Sequence, residues 1–237
     1  METLAGKTAF ITGGSTGIGL GMATTFARHD MNVVITDIRD DALTSAEQHL
    51  RQITERVLTL NVDSTDLDAL ASAAKAVERT FGPLHLLCNN AGVTGGAKVL
   101  DTPEERWRMT HEVNFWGPHN GIKVFLPGML EHGEDAHIVN TASFSGIHGH
   151  GHQSGYGTSK FALVGLSEFL RNDLADTNVG VSVLCPHVVD TPIIKALKTR
   201  VSENVAQMID AMAVAAETVG SQVVRAILAN EFYVFCD

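Results

Sequence analysis

Seven short runs of apolar and β-branched residues recur along the chain, at residues 8–12, 33–36, 57–60, 84–88, 137–141, 179–185 and 232–235. Their length and bounding turn residues predict strands. Between them lie longer stretches with apolar residues at helical spacing, such as Leu67, Leu70, Ala71, Ala74, Val77 and Phe81. These predict helices, so the chain reads β-α-β-α throughout. The longest helical stretches span 103–131 and 156–176. Strands that are apolar on both faces and separated by helices imply a parallel sheet covered on each side.

The expected fold class is therefore α/β, a doubly wound Rossmann arrangement. Such a sheet binds ligands beyond the carboxyl ends of its strands. No linker divides the 237 residues, so a single domain over 1–237 is expected. Residues 191–213, after the sixth strand pattern, have weak turn signals and mixed helical patterning, and read as a flap over a substrate.

A formal charge of −10 argues against nucleic acid or an anionic membrane as partner, because both are bound through clustered Lys and Arg. Met1 to Lys7 lead straight into the first strand pattern without a signal-peptide pattern, and no apolar run is long enough to span a membrane. Cys88, Cys185 and Cys236 are scattered within apolar runs and lack metal-ligand spacing. A cytoplasmic location is expected.

The first strand runs into Thr12-Gly13-Gly14-Ser15-Thr16-Gly17-Ile18-Gly19, followed at once by a helical pattern. A glycine-rich turn of this kind brings backbone N–H groups and the positive end of a helix dipole to a pyrophosphate. The second strand ends at Asp37, placed to accept hydrogen bonds from adenosine ribose hydroxyls and to repel a 2′-phosphate. NAD is expected over NADP, although Arg39 lies close by. Asp63, after the third strand, suits either the adenine amino group or the cap of the next helix. Asn89-Asn90-Ala91-Gly92, after the fourth, is small enough for a cofactor to lie against the backbone.

Asn114, Ser143, Tyr156 and Lys160 carry the candidate chemistry. Tyr156 and Lys160 are one helical turn apart and share a face. A phenol titrates near 10, whereas a base at neutral pH is best near 7, and an adjacent ammonium shifts it in that direction. Ser143 would hydrogen-bond the reacting oxygen, with Ser145 as a rival, and Asn114 would hold a water linking Lys160 to solvent. The expected reaction is hydride transfer between a secondary alcohol or ketone and a nicotinamide cofactor.

This set of motifs, Thr12-Gly13-x-x-x-Gly17-x-Gly19, Asn89-Asn90-Ala91-Gly92, Asn114, Ser143, Tyr156-x-x-x-Lys160 and Pro186 followed by Thr191, resembles the short-chain dehydrogenase/reductase family over essentially the whole chain. The resemblance implies a seven-stranded parallel sheet of order 3-2-1-4-5-6-7 and the four roles just given. It also implies a cofactor site comprising Gly13, Ser15, Thr16, Gly17, Ile18, Gly19, Asp37, Ile38, Val62, Asp63, Asn90, Ala91, Gly92, Tyr156, Lys160, Pro186, Val189 and Thr191. A homotetramer or homodimer, paired through the helices bearing Asn114 and Tyr156, is implied as well.

Where the family has Pro-Gly, this sequence has Pro186-His187, and it ends at Asp237 without the C-terminal tail that often helps close the pocket in the family. His148-Gly149-His150-Gly151-His152 stands between Ser143 and Tyr156. With no adjacent carboxylate or thiolate it favours a polar pocket wall over a metal site, and no metal is expected. Two other functions fit parts of the pattern. A non-catalytic NAD-binding regulator would not need all four catalytic positions filled, and a redox-neutral epimerase or dehydratase usually has a larger substrate domain.

Overall fold

The computed structural model describes residues 1–199 and 201–236. Its seven strands are β1 (Thr8–Thr12), β2 (Asn32–Asp37), β3 (Val57–Asn61), β4 (Leu86–Asn89), β5 (Ala136–Thr141), β6 (Val179–Pro186) and β7 (Tyr233–Cys236). They form one parallel sheet in the order β3-β2-β1-β4-β5-β6-β7. The order reverses between β1 and β4, where a doubly wound sheet opens its ligand crevice. The expected fold class is the one observed.

The strand interior explains why both faces must be covered. In β1 every residue is buried, with Ala9 and Ile11 packing on one face and Phe10 on the other. The first face is covered by α1 (Gly17–Arg28), α2 (Asp40–Leu50) and α9 (Ala216–Ala229), through residues such as Met22, Phe26, Leu50, Val223 and Ile227. The second is covered by α3 (Leu67–Phe81), α5 (Gly117–Glu131) and α6 (Ser154–Asp173), through Leu70, Val77, Phe125, Met129 and Leu170. Full burial of each large side chain stabilises the fold by about 1.5–3 kcal/mol, and alternation along each strand secures that gain on both faces.

The structure adjusts several expected boundaries. The fourth strand begins at Leu86, not at residue 84. The helix expected over 156–176 spans Ser154–Asp173 and stops at the Leu174 cap. The stretch 103–131 is α4 (Glu104–His111), a π-helical turn over Glu112–Trp116, and α5, with Pro103 as the N-cap of α4. A π turn inserts one extra residue into the helix and re-aims the side chains it carries. The helix α3 is capped by Asp66, whose carboxylate accepts from the N–H groups of Asp68 and Ala69. Asp63 therefore does not cap it, and accepts instead from Thr65. The stretch expected to act as a flap holds α7 (Pro192–Lys198) and α8 (Glu203–Met212), neither with a buried residue, and Val189 bridges Val214 at its base. No helix among the described residues is long and apolar enough to cross a membrane.

The crossing of α1 and α9 depends on two glycines. A Cβ on Gly21 would stand 2.3 Å from the Ala216 carbonyl oxygen, and one on Gly220 would stand 2.7 Å from the Gly21 carbonyl oxygen. Backbone atoms cannot swing aside, so Gly21→Ala should destabilise the fold by about 1–3 kcal/mol in denaturant titration. Gly128→Ala, where nothing lies within 4 Å, should be neutral or raise stability by up to about 1 kcal/mol. Equal effects of the two substitutions would show that the crossing does not set the cost.

Candidate active site

The residues expected to bind and react are gathered at the carboxyl edge of β1, β2, β4, β5 and β6. At β1 the chain leaves Thr12 through Gly13, at φ +61°, and Gly17, at φ +54°. A Cβ on Gly13 would meet the Ala91 backbone at 2.9 Å, and one on Gly19 would stand 2.3 Å from the Gly13 carbonyl oxygen. Only glycine allows the turn to close this tightly over β4. Thr12 locks the two edges together, its Oγ1 accepting from the N–H groups of Asn90 and Ala91 at 2.9 Å each. Asn90 Nδ2 returns bonds to the carbonyls of Thr12 and Gly13.

α1 begins at Gly17, immediately after this turn. Thr16 makes no side-chain cap and there is no acidic residue in the first turn, so its leading N–H groups face outward unopposed by negative charge. That cradle of backbone donors, free of Cβ atoms at Gly13, Gly17 and Gly19, fits a dinucleotide pyrophosphate. Ile18 is half-buried beside it.

Asp37 lies at the end of β2, 7% exposed. Burial on its own would raise its pKa, but hydrogen bonds from Arg39 and Ser15 outweigh this and hold the carboxyl below its ordinary value. Arg39 forks both carboxylate oxygens, Nε to Oδ1 at 2.9 Å and Nη2 to Oδ2 at 3.0 Å. The same Nη2 reaches the hydroxyls of Ser15 and Thr16 at 3.1 and 3.2 Å. Sequence reasoning placed Arg39 only as a neighbour, whereas it closes the end of β2 onto the glycine turn. Ile38 projects beyond this pair, 64% exposed, while Val62 is buried with its N–H on the Asp37 carbonyl. Asp63, committed to Thr65, is one strand farther out.

The reactive group sits at β5 and the start of α6. Ser143 follows β5 by two residues, its backbone extended, and its hydroxyl lies close enough to the Tyr156 phenol to lower its pKa. It also accepts from the Ser145 N–H at 3.1 Å. The rival Ser145 faces away, toward Gln153 Oε1 at 3.2 Å and His150 Nε2 at 3.5 Å. Lys160 is buried, with Nζ donating to the Thr141 carbonyl at 2.7 Å and standing 5.8 Å from the centre of the Tyr156 ring.

Burial brings the Lys160 ammonium down to about 8, a shift that nearby Cys185 opposes. The phenol moves against the sequence expectation. In the free protein burial raises Tyr156, and the hydrogen bond from Ser143 offsets this only in part. The crevice is poor in solvation for a phenolate, and the ammonium directs a proton at Thr141 instead of at the phenol oxygen.

Asn114 lies fully buried in the π turn. Its Nδ2 donates to the Val93 carbonyl and to Ser159 Oγ, both at 3.0 Å, and its Oδ1 accepts from the Val93 N–H at 2.8 Å. The side chain thus clamps the segment after β4, with both amide protons committed. Its Oδ1 and Lys160 Nζ flank one point, 3.3 and 3.5 Å from where a Cβ on Gly92 would stand. Ser159, missed by sequence reasoning, completes this clamp and donates to the Tyr156 carbonyl at 2.7 Å. Its position beside Lys160 was the available signal.

Pro186 ends β6, directly after the buried Cys185. Thr191 caps α7 through its Oγ1, and its methyl group lies 3.1 Å from where a Cβ on Gly17 would stand, bringing the start of the flap region onto the glycine turn. Val189 is buried at its base. Among the described residues no three His, Cys, Asp or Glu side chains are grouped to hold a metal ion.

Comparison with known proteins agrees with this geometry. Residues 7–202 match the short chain dehydrogenase family. The chain is 35% identical over 231 residues to 1-deoxy-11-beta-hydroxypentalenate dehydrogenase from Streptomyces exfoliatus, covering 97% of this chain and 82% of that protein. It superimposes on a short chain dehydrogenase/reductase from Burkholderia phymatum in complex with NAD at a TM-score of 0.90, with 32% identity, covering 99% of this chain and 90% of the other. An actinorhodin polyketide ketoreductase variant with NADPH gives a TM-score of 0.91 at 28% identity, covering 99% and 97%. The chain belongs to the short-chain dehydrogenase/reductase family, and is an oxidoreductase that transfers hydride between a CH–OH group and a nicotinamide cofactor.

Proposed function

We propose that this protein interconverts a secondary alcohol and its ketone, using NAD in preference to NADP, with Tyr156 exchanging the hydroxyl proton. One observation carries the reading: Ser143, two residues past the end of β5, is near enough to the Tyr156 phenol to oppose the rise in its pKa, with the Lys160 ammonium buried one helical turn away. Two hydroxyls so placed present a donor and an acceptor to the same substrate oxygen.

When bound, the nicotinamide supplies the hydride acceptor or donor, and its oxidised ring carries the positive charge that favours phenolate. In alcohol oxidation Tyr156 takes the hydroxyl proton while Ser143 hydrogen-bonds the developing alkoxide; in ketone reduction Tyr156 returns it. Of the three Lys160 protons one is held by Thr141, which leaves two for the ribose hydroxyls and for a water shared with Asn114 Oδ1. Gly13, Gly17, Gly19 and the α1 N-terminus would hold the pyrophosphate. Residues 90–92 would lie along the adenosine side and Pro186 to Thr191 along the nicotinamide. Residues 191–213 would cover the substrate as a flap within a single domain.

Preference for NAD rests on the Asp37 carboxylate, which stays ionised at the ribose position. The Arg39 fork reduces its repulsion of a 2′-phosphate, and family members of known structure hold NAD or NADPH. A homotetramer or homodimer is supported by Trp116, Phe161 and Phe169, large apolar groups left 46%, 45% and 74% exposed on the helices that carry Asn114 and Tyr156. A cytoplasmic setting suits the buried thiols of Cys88 and Cys185.

Tyr156→Phe should lower kcat by about 10²–10⁴-fold for any secondary alcohol the protein oxidises, while cofactor binding, followed by protein fluorescence, is retained. Undiminished turnover would refute the proton role. Asp37→Ala should cut the ratio of kcat/KM with NAD to that with NADP about tenfold or more, and Arg39→Ala should raise it. Unchanged ratios in both would remove the β2 end from cofactor choice. Phe169→Glu should at least halve the mass measured by light scattering, and an unaltered assembly would place the interface elsewhere.

A further inference from the structure

The catalytic reading leaves the histidines unexplained. Phe144, directly after Ser143, is flanked by two imidazoles: His187 edge-on with ring centres 5.1 Å apart, and His148 tilted at 5.7 Å. His187 follows the end of β6 and His148 the short 3₁₀ turn over Phe144–Gly146, so residues far apart in sequence converge on one ring. All three side chains are exposed on the crevice edge. Neither imidazole makes a hydrogen bond or ion pair among the described residues, whereas His150, two residues beyond His148, is turned toward Ser145.

The surrounding charge is unusual for this chain. In a sequence of net charge −10, the segments that follow β4, β5 and β6, residues 90–100, 142–153 and 186–189, contain no Asp or Glu. Carboxylates stand directly beyond two of them, Asp101 after the first and Asp190 after the third, the latter paired with Lys195 at 3.4 Å. The cofactor's phosphates do not account for the segments after β5 and β6, because the glycine turn that receives them follows β1, two strands away from β5 and three from β6. A crevice edge stripped of negative charge, with two unpartnered imidazoles held against an apolar ring, is built to receive an anion attached to an apolar body.

We infer that His148 and His187, braced on Phe144, form a substrate subsite for a carboxylate, so that the protein acts on ring-bearing secondary alcohols or ketones that carry an acid group away from the reacting carbon. This rests on the oxidoreductase reading for the reacting end and extends it to the distal end. Each imidazole donates through a ring N–H to a carboxylate oxygen, Phe144 lies against the ring system, and the carbinol reaches Ser143 and Tyr156.

The test is calorimetric binding of para-acetylbenzoate and of its methyl ester to the protein saturated with oxidised cofactor, with which neither ketone can react. These probes differ only in the charge at the far end. The acid should bind at least about tenfold more tightly than the ester, the margin of a charge-assisted hydrogen bond. In the double variant His148→Gln and His187→Gln the two should bind alike, with ester affinity and melting temperature unchanged. Equal binding by the wild type, or an acid advantage that survives in the double variant, would overturn the subsite. Turnover keeps the two readings separate. A protein that oxidises neutral secondary alcohols without favouring the acid loses the subsite and keeps the reaction, whereas selective acid binding without turnover of any secondary alcohol does the reverse.

Discussion

The site is organised around a buried ammonium. Lys160 Nζ holds the Thr141 carbonyl at the last residue of β5, and this single bond fixes the start of α6 against the edge of the sheet. Tyr156, one turn earlier on α6, and Ser143, two residues beyond Thr141, then meet because both chains leave the same anchor. The arrangement costs stability. Burial lowers the folded-state pKa of Lys160 to about 8, below the value for an unfolded lysine, so the charged form opposes folding at neutral pH. That penalty is fully present below about 8 and fades as pH rises toward the ordinary lysine range, because there the unfolded chain binds more protons than the folded one. A buried methylene chain without charge would serve the core better, so the ammonium is explained by chemistry and not by packing.

The phenol bears the consequence. Burial raises Tyr156 in the free protein, and the lysine proton nearest the sheet is committed to a backbone carbonyl. The site therefore holds its acid in the protonated form until positive charge arrives beside it. In the proposed role of Tyr156, proton removal would be tied to the presence of the oxidised cofactor, and burial would keep the phenol from ionising in the free protein. The π turn at Glu112–Trp116 supports this arrangement from the other side, since the extra residue aims Asn114 inward to grip Val93 and Ser159 instead of along the helix surface.

Much of this was legible in the sequence for physical reasons that can be named. Strands buried on both faces leave continuous apolar runs, so the order of elements and the parallel sheet followed from hydropathy alone. The glycine turn, Asp37 and the Tyr156–Lys160 spacing were readable because each is local, set by a few residues in one element. What escaped was set between elements. Whether Ser143 or Ser145 meets Tyr156 depends on the 3₁₀ turn that follows β5. The Arg39 fork depends on a side chain returning two residues to Asp37 and across to Ser15. The clamp of Asn114 on Val93 and Ser159 joins three segments that no periodicity links. Asp66, not Asp63, caps α3 because the turn through Thr65 consumes the earlier carboxylate.

The charges around the crevice fit a common logic. An anionic dinucleotide must approach a chain of net charge −10, and the edge it approaches has been relieved of that charge locally. Asp37, Asp63 and Asp190 are exceptions, and of these Asp37 is clasped on both oxygens by a guanidinium. Its charge is therefore felt at short range, by a group placed against it, more than at a distance, where Arg39 cancels it. Selectivity among cofactors and attraction of anions are thus separated by distance. On the proposed binding mode the carboxylate would act on a ribose within hydrogen-bond reach, while the segments after β4 and β5, residues 90–100 and 142–153, contain no Asp or Glu to repel an incoming phosphate.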